Sequence, residues 1–417
     1  MMKFGGTSVA DAERLKRAAA RIVERAEQGQ RVVAVLSARG QTTDELIRQA
    51  EEVSPTPDPR ELDMLLSTGE RQSCALCAMA INDLGHRAMS LTGSQAGIVT
   101  DTSHTKARIL QVRADRITAA LDLGWIVLVA GFQGVSTARD VTTLGRGGSD
   151  TTAVALAAAV EADVCEIYTD VAGVFSADPR IVPGARKLPA VSFEEMLEMA
   201  SSGSRVLQLR AVEYGRTHGV RIHVRSSFET APGTLVLGEE ETMEQPLITA
   251  VTHSTEEARV TLLGLPDVPG IAGRVLSALA DANVNVDMII QNEPVSEGAA
   301  ADLSFTVPRD DLQLARQTLE PLKDELGFSR VADDADMGRV SIVGAGMRTH
   351  PGVAARMFST LGSEAINIEM ISTSPIRISC VIREADVPRA VQALHGAFEL
   401  GPGTIEPEDP FTSRVPR

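Results

Sequence analysis

The sequence predicts an α/β protein: a three-layer domain with a largely parallel sheet, followed by two copies of a smaller α+β module. Three observations carry that prediction. Apolar runs of strand length alternate with helical patterning over the first ~240 residues, as in a sheet covered by helices on both faces. Glycine turns directly follow several of those runs, at the strand ends where open α/β sheets collect ligands. Beyond the acidic run Glu239-Glu240-Glu241, a solvated hinge by composition, the sequence repeats itself at an offset of 82 residues.

Composition narrows the class. A length of 417 residues allows about three domains. The net charge of −16 argues against a nucleic-acid surface, which needs concentrated Lys and Arg. No stretch approaches the roughly 20 apolar residues of a membrane span. Lys3 and then Gly5-Gly6 interrupt the N-terminus before any signal-peptide apolar region, so a cytoplasmic location is expected. Cys74, Cys77, Cys165 and Cys380 are too few and scattered for a disulfide framework. Cys74 and Cys77 have redox-motif spacing but lie in an apolar helical run, which reads as packing.

Taken in order, the first domain opens with almost no strand before Gly5-Gly6. Ser8 is then the expected cap of a helix whose apolar positions Leu15, Ala18, Ala19, Ile22, Val23 and Ala26 recur at helical spacing up to Gly29. Residues 31–38 read as a buried strand leading through Gln41-Thr42-Thr43-Asp44 into a helix over 45–52. Proline-rich 54–59 is an exposed connection, and the next helix carries Thr68-Gly69-Glu70-Arg71. Strands are predicted at 87–91 and 125–130, with a helix over 114–123 between them, and Gly131-Phe132-Gln133-Gly134 reads as a turn. Gly145-Arg146-Gly147-Gly148-Ser149-Asp150 follows, with a helix over 151–160 that is small and apolar on every side and therefore buried. A strand at 164–168, a capping box at Ser192 and Glu195, and closing strands at 220–224 and 234–237 complete the domain.

In the repeat, Pro269, Gly270, Ala272, Arg274, Ser277, Leu279, Asn285, Met288 and Ile289 recur as Pro351, Gly352, Ala354, Arg356, Ser359, Leu361, Asn367, Met370 and Ile371. Each copy reads strand–turn–helix–strand–strand–helix. One copy is small for an independent core, so the two are expected to pair. The expected divisions are 1–245, 246–334 and 335–417.

The 145–150 stretch is the chemical centre of this reading. Three glycines let the backbone approach a ligand, and the following helix offers its N-terminal amides and positive dipole end to an anion. Arg146 adds a fork suited to a carboxylate or phosphate, while Ser149 and Asp150 are good helix-opening residues. No Walker loop, Ser-His-Asp arrangement or His-rich metal spacing is present. Lys3, Arg146 and the carboxylates of Glu70 and Asp150, each beside a glycine turn, suit transfer of a phosphoryl group to an amino acid.

These residues also resemble a family. Lys3 to Ser8, Ser37-Ala38 with Thr42-Thr43, Gly69-Glu70-Arg71, Gly93-Ser94-Gln95-Ala96-Gly97, Gly131 to Gly134, Gly145 to Asp150 and Asp178-Pro179-Arg180 resemble, in order, the motifs of aspartokinase. The two repeats resemble its paired ACT modules. The resemblance implies an amino-acid-kinase-like domain followed by two ferredoxin-like modules. It implies ATP-dependent phosphorylation of the β-carboxylate of L-aspartate, the first step toward lysine, methionine and threonine, with Mg²⁺ on the phosphates. Lys3 would touch the transferring phosphoryl group, and Lys3, Arg146 and Asp150 form the catalytic set. Ser37, Thr43, Glu70, Arg146, Ser149 and Asp150 would hold aspartate. Lys3, Phe4, Gly5, Gly6, Ser149, Tyr168, Thr169, Val174, Phe175, Ser176, Ala177, Asp178, Pro179, Arg180 and Lys187 would meet the nucleotide. Members normally carry several apolar residues before Lys-Phe-Gly-Gly, whereas only Met1 and Met2 stand here, so a very short strand or a later recorded start is expected.

For the repeats the resemblance implies feedback inhibition by lysine, threonine or both, with Asp267, Gly270, Ile271, Ala272, Gln291, Asn367 and Ile368 matching effector-contact positions. A homo-oligomer is expected, or a hetero-oligomer with a regulatory subunit initiated internally at Met243. The rival readings are another carboxyl or amino-acid kinase of the same fold, and an inactive amino-acid sensor. Paired ACT modules argue against the first, and intact Lys3, Glu70, Arg146 and Asp150 against the second.

Overall fold

A computed structural model describes residues 1–241, 247–292 and 300–402. Its central sheet has eight strands in the order Ala190–Ser192, Thr234–Leu237, Ile222–Ser226, Cys165–Thr169, Met2–Phe4, Val33–Leu36, Ile126–Ala130, Ala88–Leu91. Pairing is parallel throughout except between Ile222–Ser226 and Thr234–Leu237. Met2–Phe4 has only three residues yet lies mid-sheet, its register held from both sides by Val33–Leu36 and Cys165–Thr169. Continuous apolar runs such as Ile126–Ala130 are buried on both faces, as parallel strands covered by helices must be. One face packs under helices Ala12–Glu27 and Thr68–Asp83, the other under Gly148–Ala159 and Leu209–His218. Cys74 and Cys77 are free, buried packing residues, and burial pushes the Cys77 thiol up to about 12.

Two local expectations are corrected. Helix Ala12–Glu27 is capped by Asp11, whose side chain accepts from the Arg14 N–H; Ser8 lies in a preceding 3₁₀ turn and bonds Ser227 instead. Gly131 to Gly134 is more than a turn: Phe132 takes a positive φ of 68° and strand Gln133–Ser136 starts immediately. That strand belongs to a second sheet, ordered Ile109–Val112, Ile98–Thr100, Gln133–Ser136, Val141–Thr143, which the sequence pattern does not announce. Its strands have only three or four residues and mix apolar with polar ones, so no sustained apolar run or alternation marks them.

Both regulatory modules are four-stranded antiparallel sheets, ordered Ile289–Gln291, Ala300–Pro308, Glu257–Pro266, Arg330–Asp334 and Ala250–Ser254, Met337–Val343, Arg377–Arg383, Met370–Ser374. Ala250–Ser254 falls inside the expected 246–334 module but pairs with Met337–Val343, so the second module takes its edge strand from before the first. Its partner groups supply the reason: the edge of Met337–Val343 is open, whereas Glu257–Pro266 is flanked by Ala300–Pro308 and Arg330–Asp334. The repeat-related Met288 and Met370 meet in one small cluster with Met337 and Val381, where the two copies pack together.

Helix Phe193–Ser201 joins the first domain to the modules. Its capping-box residue Glu195 is fully buried, accepting from Ser192, from the Thr249 hydroxyl at 2.7 Å and from the Ala345 N–H at 3.0 Å. Its C-terminal end receives Arg339 on the Ser201 carbonyl and Arg377 on Ser201, Ser202 and Glu198, cations where the helix dipole favours them. No described helix is long and apolar enough to cross a membrane.

Candidate active site

The C-terminal ends of the central strands converge because their turns are built from residues that let backbones touch. The Gly5 N–H donates to the Tyr168 carbonyl at 3.2 Å, the Ser37 N–H to Phe4 at 3.1 Å, and the Gly40 N–H to Gly6 at 3.0 Å. A Cβ on Gly6 would stand 2.8 Å from the Ala38 carbonyl oxygen, so only glycine permits this approach. A Cβ on Gly131 would stand 2.7 Å from Ser149 Oγ, which seats the opening of helix Gly148–Ala159 directly against the end of Ile126–Ala130. That helix is buried from Gly148 to Ala157, and its cap is Gly147 at φ 70° with no side-chain acceptor. Asp150 is therefore a first-turn residue, not the cap, and its carboxylate is free for other work.

That carboxylate meets Lys3. Nζ of Lys3 lies 2.5 Å from Oδ1 of Asp150, with both side chains about nine-tenths buried. Glu70, on the first turn of Thr68–Asp83, is 3% exposed. Its Oε1 accepts the Ala38 N–H at 3.1 Å, while buried Oε2 has no hydrogen-bond partner among the described residues. Burial pushes Glu70 up from its ordinary 4.5 to about 7, against the opposing pull of backbone hydrogen bonds and Arg71. Ser37 and Thr43 are half-buried, at the end of Val33–Leu36 and in the first turn of helix Thr42–Val53. Arg146 is exposed on its glycine turn, with no hydrogen bond or ion pair to any described residue. An orphaned carboxylate oxygen, a caged ammonium and an unengaged guanidinium thus surround glycine-lined strand ends, an arrangement able to hold a zwitterionic dicarboxylate beside an anionic group.

The expected nucleotide residues divide. Gly5, Gly6, Thr169 and the Ser149–Asp150 turn lie at the strand ends just described. Phe4 and Tyr168 instead stack ring on ring in the core, centroids 4.8 Å apart, leaving only their backbones toward the edge. Val174, Ser176 and Ala177 are engaged within the protein. Val174 is fully buried, its N–H given to Thr234 Oγ1 and its carbonyl taken by Leu188. Ser176 spends its N–H on Arg186, its carbonyl on Val251, and its hydroxyl on His395 and Leu400 of the second module. Ala177 packs in that module's apolar core. The bonds of Ser176 to the second module are invisible in a linear motif. Phe175 is half-buried and bridges to Lys187, whose ammonium bonds the Pro232 carbonyl. Asp178 and Arg180 pair with each other at 2.6 Å beside exposed Pro179.

The family follows from this architecture and from likeness over the whole length. Residues 1–226 match the amino acid kinase family, and 259–327 and 340–398 each match the ACT domain. The chain is 57% identical to the aspartokinase of Mycolicibacterium smegmatis over 404 residues, 96% of each chain, and 53% identical to that of Corynebacterium glutamicum over the same shares. The chain belongs to the aspartokinase family. A crystal structure of E. coli aspartokinase III in complex with aspartate and ADP (R-state) superposes with a TM-score of 0.82 at 26% identity, covering 95% of this chain and 98% of that one. The T-state of the same E. coli enzyme, in complex with lysine and aspartate, superposes at 0.73. This aspartokinase is accordingly an aspartate kinase, a phosphotransferase that uses ATP and takes a carboxyl group as acceptor, and its ACT domains make it allosteric.

The expected effector residues sit on different modules. Asp267 and Gly270 are exposed at the turn into helix Ile271–Asp281, Ile271 and Ala272 pack into the first module's core, and Gln291 is exposed at the end of its strand. Asn367 is exposed, and Ile368 packs against the core of the second module. Met243 lies outside the described residues. Two features went unread in the sequence. Ser226 and Ser227 end a central strand at the same edge, with the Ser227 N–H on the Thr169 carbonyl and its hydroxyl 2.5 Å from Ser8; their only signal is position after an apolar strand. A cleft of about 500 Å³ in the second module is lined by Met347, Arg348, His350, Gly352, Thr373 and Ser374.

Proposed function

We propose that the strand-end site carries out in-line transfer of the γ-phosphoryl group of ATP to the β-carboxylate of L-aspartate. Arg146 grips a substrate carboxylate, Glu70 and Asp150 receive the ammonium, and Ser37, Thr43 and Ser149 complete the contacts. The β-carboxylate is already ionised at neutral pH, so its oxygen attacks phosphorus without a general base. The bond to the bridging oxygen breaks, and ADP leaves with that electron pair. Lys3 neutralises charge on the transferring group, and Gly5 and Gly6 give it close backbone approach. Catalysis then rests on positioning and charge. Mg²⁺ supplies charge neutralisation when it binds with the nucleotide, and it rides on phosphate oxygens with few protein ligands.

The observation that carries the reading is the buried Glu70 Oε2 without a partner, at the same edge as the Lys3–Asp150 pair. An uncompensated carboxylate oxygen in that setting is costly unless a ligand ammonium completes it. An ATP- and Mg²⁺-dependent hydroxamate assay tests the proposal: aspartate gives acyl-hydroxamate and glutamate gives little. Absence of product with aspartate sinks it.

The regulatory reading has lysine, threonine or both bind at the paired ACT modules through Asp267, Gly270, Ile271, Ala272, Gln291, Asn367 and Ile368, restraining the first step of lysine, methionine and threonine synthesis. Because those residues lie on separate modules, one effector site draws on two modules, either within a chain or across an oligomer. Initiation at Met243 would yield a separate regulatory subunit. Finding only full-length chain in native extracts removes that possibility.

A further inference from the structure

Asp63 is a fully buried carboxylate on helix Pro59–Leu66 that no part of the proposed reaction uses. It is nevertheless densely bonded. Oδ1 accepts the Thr143 hydroxyl at 2.5 Å, Oδ2 lies 2.7 Å from His104 Nδ1, and the Thr105 N–H reaches both oxygens at 3.1 Å. A charge taken out of water is retained only where such partners surround it, and here they come from two other segments of the small sheet.

Those segments lead to the substrate turn. Thr143 stands three residues before Arg146, and its carbonyl accepts the Ala107 N–H at 2.9 Å. Thr105 is held at an unfavourable φ of 66°, and its carbonyl oxygen lies 3.2 Å from where a Cβ on Gly145 would be. Arg210 closes the other side, donating to the Leu144 carbonyl at 2.7 Å and to Ala107 at 3.0 Å. The helix bearing Asp63 runs through Ser67 into Thr68–Asp83, which carries Glu70. A second tie joins the same bodies: Gln133 donates to the Ser67 carbonyl at 2.8 Å and accepts from Arg71 at 3.2 Å.

We propose that Asp63, through Thr143 and the Thr105 loop, is a positioning residue that holds the Arg146 turn at a set separation from Glu70 and so governs aspartate binding. This rests on the reading of Arg146 and Glu70 as aspartate contacts. Of the groups read as ATP contacts, Lys3, Gly5, Gly6 and Thr169 lie on other elements and Ser149 is seated against Gly131, so the effect falls chiefly on aspartate. Misplacement of a binding group by about 1 Å is enough to cost roughly tenfold or more.

The test measures KM for aspartate and for ATP, with melting temperature, in Asp63→Asn, Thr143→Val, Thr143→Ser and Arg146→Ala. Thr143→Val removes one buried hydrogen bond at nearly constant volume, so it serves where Asp63→Asn does not fold. Expected is a rise in aspartate KM of about tenfold or more with ATP KM within about twofold, recovery in Thr143→Ser, and no added rise when Thr143→Val is placed on Arg146→Ala. A fall in melting temperature with both KM values unmoved, or moving in step, overturns the positioning role. If Arg146→Ala raises aspartate KM and the Asp63 and Thr143 variants do not, only this inference fails. If Arg146→Ala leaves aspartate KM unmoved, the site reading fails with it.

Discussion

Glu70 shows what one buried side chain contributes and costs. Its pKa stands near 7 because ionisation inside the domain is poorly compensated. Folded protein therefore holds a proton that unfolded chain releases between about 4.5 and about 7, so stability present at low pH is lost as pH rises through that window. A shift of this size corresponds to about 3 kcal/mol. In Glu70→Gln, denaturant titrations at about pH 5 and about pH 8 should differ by about 3 kcal/mol less than in the parent; an unchanged pH slope means that Glu70 is not the group responsible. Arg146 is the opposite case, exposed and unengaged. Arg146→Ala should raise aspartate KM by about a hundredfold, the worth of a charge-assisted bidentate contact, and leave ATP affinity within about twofold. Steady-state kinetics with each substrate varied settles it. In the sequence Arg146 stands out by its glycine turn, and Glu70 by Gly69 beside it at the start of helix Thr68–Asp83. The engagement of Ser176 was not legible, because its partners His395 and Leu400 lie 219 and 224 positions away.

At the scale of elements, helix Phe193–Ser201 has a start written in its sequence and a role that is not. Ser192 accepts the Glu195 N–H at 3.2 Å, and Glu195 returns to Ser192, as the Ser-x-x-Glu spacing predicts. The same carboxylate also receives Thr249 and Ala345. Ser192→Ala should destabilise by about 1–2 kcal/mol, with Ser192→Thr nearly neutral, because the lost cap also removes one donor from a buried acid. Chemical denaturation measures both, and equal loss in the two variants would show that the cap is not the cause. Buried strands of the central sheet were readable from continuous apolar runs. The small sheet was not, since residues such as Thr142 and Thr143 become buried only when other segments close over them.

Across the whole molecule, the polar contacts between the catalytic domain and the second module include, besides Glu195 with Ala345, two further places. One is the 174–188 segment, where Ser176 meets His395 and Gln392 meets the Ile181 carbonyl. The other is the end of helix Phe193–Ser201, where Arg377 pairs with Glu198 at 3.0 Å and Ser374, a wall of the second-module cleft, bonds the same acid at 2.8 Å. An effector alters activity only by binding one global arrangement better than another, and contacts of this kind differ between arrangements. Arg377→Ala should therefore raise the lysine or threonine concentration for half-inhibition about fivefold or more, with kcat in their absence changed little. Inhibition curves that superpose on the parent's would exclude this contact from the coupling.

What the sequence by itself determined is whatever depends on neighbours along the chain: strand and helix periodicity, glycine turns at strand ends, the Ser192 capping box and the repeat at 82 residues. Those local patterns were enough for the α/β layout and for the paired modules. Only the tertiary structure decided which module owns Ala250–Ser254, that Ser176 faces the second module, and that Asp63 braces the turn before Arg146. The physical reason is that burial and hydrogen-bond partnership are set by segments tens to hundreds of residues apart. A carboxylate or hydroxyl carries no mark in its own surroundings of which distant donor will satisfy it.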